Sequence, residues 1–136
     1  MGFNRVLAIT GRKFPPAPEL IESMGQTAID LEHLARYTGG EKALNSEVLQ
    51  LFDGQVSAMV AELHTVLAAR DAKRWREVAH TIKGAARGVG AFAMGDLAAS
   101  AEPISPNDAL AAKDVIAKLE HEAQTVHAFI DAYLAA

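Results

Sequence analysis

At 136 residues, half of them hydrophobic, the chain is long enough for one domain with a single core and too apolar to remain disordered. No apolar run approaches the roughly 20 residues that a membrane span needs, and a formal net charge of −4 argues against nucleic acid as the main partner. The absence of cysteine removes disulfide staples, zinc knuckles and thiol catalysis together.

Residues 1–26 read as an extension to the domain proper, which is expected to occupy 27–136. Pro15, Pro16 and Pro18 interrupt any long element, Gly25 closes the segment, and a short helix is expected near Pro18 to Met24. The apolar stretch from Val6 to Ile9 is too short for the core of a secretory signal, so the expected location is the cytoplasm. From Thr27 the pattern turns helical. Ile29, Leu31, Leu34 and Ala35 form a short amphipathic piece ending at Gly39 and Gly40, where glycine suits a left-handed terminus. A long helix follows, its apolar face running through Leu44, Val48, Leu49, Phe52, Val56, Met59, Val60, Leu63, Val66 and Leu67.

Asp71 is placed to cap a third helix in which Trp75, Val78, Ala79, Ile82, Ala85, Ala86 and Val89 recur at helical spacing. Gly88 and Gly90 then predict a turn. A shorter helix begins near Ala91, turns Met94, Leu97, Ala98 and Ala101 inward, and stops before Pro103. For the last helix the sequence predicts a Ser105 hydroxyl cap, Pro106 at the first helical position and Asp108 in the first turn. Its apolar face runs from Ala112 through Val115, Ile116, Leu119, Ala123, Val126, Phe129 and Ile130 to Tyr133. The one hint of a strand is at Val6 to Thr10, and there are no repeats. Four helices joined by short connections predict an all-α fold, an antiparallel up-and-down four-helix bundle with a short additional N-terminal helical segment.

The third helix carries the chemistry. With ~100° per residue and His80 at zero, its apolar residues cluster near ~200° and His80 points away from the core. Lys73, Arg76, Lys83, Gly84 and Arg87 fall within ~60° of it on the same spacing. Six cations between Arg70 and Arg87, namely Arg70, Lys73, Arg74, Arg76, Lys83 and Arg87, face only Asp71 and Glu77, so a basic patch sits on an acidic chain. Gly84 stands in a helix interior, where glycine costs about 1 kcal/mol relative to alanine. A bare surface there lets a phosphoryl group or another protein's active site approach the imidazole, whereas a helix-packing glycine would face the core. Lys83, one turn from His80, brings an ammonium suited to phosphate oxygens, although taken alone it would be a solvated lysine. An exposed imidazole is largely neutral and nucleophilic near pH 7 without a dedicated base.

The run Ala79-His80-Thr81-Ile82-Lys83-Gly84-Ala85-Ala86, followed by Gly88-Val89-Gly90-Ala91, Leu97 and Ala101-Glu102, resembles the signature of histidine-containing phosphotransfer (HPt) domains. The resemblance extends to Gly39-Gly40-Glu41, Phe52 and Asp71, and covers roughly Thr27 to Tyr133. It implies a four-helix bundle that takes a phosphoryl group from a receiver's aspartyl phosphate onto His80 and passes it to another receiver's aspartate. Lys83 would steady the group and Gly84 would leave room for it. Glu102 matches a family position that hydrogen-bonds the imidazole or sits near its phosphoryl group; it could equally just terminate its helix. Arg87 departs from the small or amide residues common before the turn, and with Lys73 and Arg76 is expected to dock partners. The implied partners are receiver domains of response regulators and a sensor histidine kinase. The magnesium of such transfers belongs to the receiver, so this chain is expected to need no cofactor or metal and to act as a monomer. His33, His64, His121 and His127 show no metal-ligand spacing. The competing reading is a helical adaptor that binds a signalling protein through the same basic face without being phosphorylated.

Overall fold

The computed structural model describes residues 27–136, and the expectations for Val6 to Thr10, for Pro18 to Met24 and for the extension as a whole lie outside the described residues. Among the described residues five α-helices follow one another: α1 Leu31–Thr38, α2 Lys42–Ala69, α3 Ala72–Val89, α4 Phe92–Ala101 and α5 Ala109–Ala135. There is no strand among the described residues, so the fold is all-α. The four helices α2 to α5 form a closed ring in which α2 meets α3, α3 meets α4, α4 meets α5 and α5 returns to α2; α1 packs across α2 and α3.

Local chemistry accounts for most of the helix ends. Asp30 caps α1 by accepting from the His33 amide, and Asp71 caps α3 by accepting from Arg74, each carboxylate satisfying an otherwise orphaned donor. Gly39 ends α1 in the left-handed region at φ 69°. Gly90 ends α3 at φ 91°, and a Cβ there would lie 2.6 Å from the Asp30 carbonyl oxygen, so glycine is required on both grounds. The carbonyl of Gly90 in turn accepts from the Asp30 amide at 2.9 Å, tying the entry of α1 to the end of α3.

The last helix starts differently from the expectation. Asp108 is its N-cap, accepting from the Ala111 amide, and Ser105 lies outside it. The Ser105 hydroxyl instead accepts from the Asn107 amide at 3.1 Å, while the Ser105 carbonyl accepts from Asp108 at 2.9 Å. Ser-Pro-Asn thus closes a turn of its own, in which a hydroxyl bonding two residues ahead competes with capping. Leu44, predicted inward, is 37% exposed in the first turn of α2.

The core is one cluster that includes Trp75, which is fully buried in the first turn of α3 and donates from its indole N–H to the Ala101 carbonyl at 2.8 Å. Ala79, Ile82 and Ala86 continue its stripe along α3, and Met94, Ala98 and Ala101 face it from α4. The small residues on α4 let the two helices approach closely, which sets the distance between their outer surfaces. On the far side of the ring, His127 on α5 is held by Asp53 on α2 at 2.7 Å and by Asp131 at 3.2 Å. The Asp53 carboxylate, with help from Asp131, raises the His127 pKa above its ordinary value. A raised imidazole pKa contributes stability that is fully present below the unfolded-state value and lost as pH rises through the folded-state value. Asp53→Asn should therefore return the His127 titration, followed by NMR, toward the ordinary range and weaken this pH dependence of stability.

Candidate functional site

His80 sits midway along α3 on the face opposite Trp75, with its side chain 69% exposed, as the helical spacing predicts. The short helix α4 ends beside it, and Glu102, the residue closing that helix, points back between His80 and Lys83. One Glu102 oxygen, Oε2, is 3.5 Å from His80 Nδ1, and the other, Oε1, is 2.6 Å from Lys83 Nζ. At 3.5 Å the first contact lies at the outer limit of hydrogen bonding and acts mainly by charge. A carboxylate on the Nδ1 side favours the tautomer protonated there and leaves the Nε2 lone pair free.

Glu102 and Lys83 are each about three-quarters covered, at 27% and 24% side-chain exposure, so their pairing is less screened than a contact at the open surface. The Lys83 ammonium is the main cause of a lowered Glu102 pKa, His80 pulls in the same direction, and partial burial opposes them. The Lys83 ammonium is thus engaged by Glu102, where the sequence alone had suggested one free for phosphate. In Lys83→Ala the Glu102 carboxyl should titrate at higher pH, measured through its side-chain ¹³C shift. By linkage, a depressed carboxyl contributes stability above its unfolded-state pKa that is lost as pH falls through the folded-state value, and the variant should lose that acid-range dependence.

Gly84, one turn beyond His80, is exposed, and a Cβ built there would meet nothing within 4 Å. The glycine therefore makes no helix contact, and the packing alternative has no basis. Arg87 turns away toward α4, where its guanidinium lies 3.4 Å from Asp96 and its stem crosses Gly95 so closely that a Cβ there would meet Arg87 Cγ at 2.8 Å. Lys73 and Arg76 are exposed, and neither forms an ion pair among the described residues. Arg74, the remaining cation of this stretch on α3, is spent on Glu62 at 2.6 Å and Glu77 at 3.5 Å. Spacing along the chain carries no signal for the Lys83–Glu102 and Arg87–Asp96 pairs, whose partners lie on different helices; Gly95, a glycine inside a helix, was the available hint for the second. Among the described residues no group of three histidine or carboxylate side chains converges as a metal ion would require, and no helix is long and apolar enough to cross a membrane.

The helical bundle with an exposed histidine on its third helix is the arrangement that the sequence resemblance leads one to expect, and the comparisons with known proteins give the family and the fold. The family model of the Hpt domain matches residues 47–133, and the chain belongs to that family of histidine phosphotransfer proteins, which act with kinases and response regulators of two-component systems. Among solved structures, the chain is similar to histidine-containing phosphotransfer protein B (HptB) from Pseudomonas aeruginosa PAO1. That match has a TM-score of 0.68 at 24% identity and covers 76% of this chain and 91% of the other, a likeness of fold. No curated protein sequence matches the chain.

Proposed function

We propose that residues 27–136 form a monomeric phosphoryl carrier of a cytoplasmic phosphorelay, with residues 1–26 an extension to it, and that His80 is the residue phosphorylated. The observation that carries this reading is the imidazole itself, largely exposed, faced at Nδ1 by Glu102 and bordered by the open surface over Gly84. Nε2 attacks the phosphorus of a receiver's aspartyl phosphate; the P–N bond forms as the P–O bond breaks, and the receiver's aspartate leaves as a carboxylate. The imidazole ring, still protonated at Nδ1, becomes cationic on attack, and Glu102 stabilises that charge. Lys83 offsets the Glu102 carboxylate, which would otherwise repel the incoming phosphoryl oxygens, and lies within reach of those oxygens itself. In the second half-reaction the carboxylate of another response regulator attacks the same phosphorus and Nε2 leaves. The magnesium needed by both halves is held by the receiver. Lys73 and Arg76 supply positive potential toward the acidic receiver site and raise the rate of encounter, while Arg87, paired with Asp96, adds less than its position on the helix suggests.

Mixing the chain with a radiolabelled phosphorylated receiver and magnesium tests this reading. Label that moves to the chain and is acid-labile and alkali-stable is the expected result. A chain that binds cognate receivers but never takes label would support the adaptor reading. Gly84→Gln, which fills the open surface beside the ring without touching the core, should slow transfer by roughly tenfold or more, as expected when reacting atoms are held off by about an ångström. Unchanged rates would remove the steric role of Gly84.

A further inference from the structure

A groove of about 660 Å³ lies between the start of α1, the first turns of α4 and the end of α5. Ile29, Phe92 and Phe129 supply its apolar surface, and Asp30, Glu32 and Asp96 its charge; no lysine or arginine lines it among the described residues. Phe92 is 41% exposed, with its ring edge-on to His33 at a centroid distance of 5.0 Å. An aromatic-floored cleft with carboxylates suits a segment that is both apolar and cationic. Thr27, the first described residue, stands on the groove's rim, so everything before it in the chain is tethered there.

We propose that this groove is the docking site of the chain's own segment Phe3 to Phe14. That stretch holds Phe3, Val6, Leu7, Ile9 and Phe14 together with Arg5, Arg12 and Lys13, and it has no acidic residue. Charge decides between it and the nearer apolar residues Leu20, Ile21 and Met24, which are accompanied by Glu19 and Glu22 and would bring like charge against three carboxylates. The intervening residues, Pro15 to Gln26, span up to roughly 40 Å when extended, ample for a return to the rim. Tethering favours this occupant over a second copy, because a short linker gives an effective concentration in the ~mM range, far above that of separate chains at ~μM. Asp96, one of the groove's carboxylates, is also the partner of Arg87, so the docked segment borders the face that carries His80 and would compete with Arg87 for that carboxylate.

The cysteine-free 136-residue chain allows disulfide trapping without background. Thr10→Cys is combined with Ala93→Cys in the groove or, as a control, with Ser57→Cys on the exposed face of α2. Docking predicts intramolecular trapping at Ala93 faster than at Ser57 on the order of tenfold, and slowed when Arg12→Glu and Lys13→Glu are added. Equal rates at the two positions, indifference to the charge reversals, or covalent dimers as the main product would each overturn the proposal; the last would assign the groove to a second copy. A companion ¹⁵N spectrum of the full chain carrying only the charge reversals should show shifts at Ile29 to Glu32, Phe92 to Asp96 and Phe129, and shifts confined to residues 1–26 would contradict it. Neither readout involves phosphoryl transfer, so failure here leaves the reading of His80 intact.

Discussion

His80→Gln is expected to reduce phosphoryl acceptance from a phosphorylated receiver to background while leaving the thermal unfolding midpoint essentially where it is in the parent chain. The two halves of the expectation have separate causes. Glutamine's amide nitrogen has no available lone pair with which to attack phosphorus, so the carrier step disappears. The imidazole is 69% exposed and its one charged contact among the described residues is Glu102 at 3.5 Å, and surface substitutions of this kind usually change stability by within about 0.5 kcal/mol. Label transfer and a thermal melt on the same preparation check both halves. Retained acceptance would move the phosphorylated site elsewhere, and a collapsed melt would make His80 a structural residue.

Trp75→Ala should do the reverse, through the core. The indole is completely buried in the core, and its N–H holds the Ala101 carbonyl next to Glu102. Removing a buried tryptophan side chain costs about 3–5 kcal/mol through lost burial and the cavity left behind, which for a domain of this size lowers Tm by more than about 10 °C. Trp75→Phe separates the contributions. It keeps much of the volume and removes one of the two donors to the Ala101 carbonyl, which still accepts from the Ile104 amide at 3.1 Å, an effect of about 0.5–1.5 kcal/mol. Denaturant melts of the three proteins should fall in the order wild type, Trp75→Phe, Trp75→Ala. Equal stability of wild type and Trp75→Phe would mean that the Ile104 amide alone satisfies the Ala101 carbonyl and that the indole N–H adds nothing.

The all-α bundle was legible because one physical signal, apolar recurrence at helical spacing, dominates every helix around the ring. Trp75, Val78, Ala79, Ile82 and Ala86 fall where that spacing puts them, and their burial forces His80 outward. Caps that act within four residues were legible too, as at Asp71 and Gly39. At Ser105 the same local chemistry offered two outcomes, a helix cap or a closed turn, and the carboxylate of Asp108 took the cap. What periodicity could not supply was the pairing of side chains across helices. Spacing placed Lys83 near His80 but held no information that Glu102, at the end of another helix, would reach its ammonium. Nor did it show that Arg87 would fold over Gly95 to Asp96 and leave the ring of cations around His80 thinner than the wheel suggested. Such contacts depend on how closely α3 and α4 approach, which is set by the small residues between them and not by either helix alone.

That the Nε2 atom of His80 carries the phosphoryl group is tested most directly by charging the 136-residue chain, selectively ¹⁵N-labelled at its histidines, from a phosphorylated receiver and locating the phosphorus by its coupling to the ring nitrogens. A single phosphohistidine is expected, substituted at Nε2 of His80 and retaining its proton on Nδ1 toward Glu102. Phosphorus on Nδ1, on any of His33, His64, His121 or His127, or on no histidine after exposure to competent receivers would contradict it.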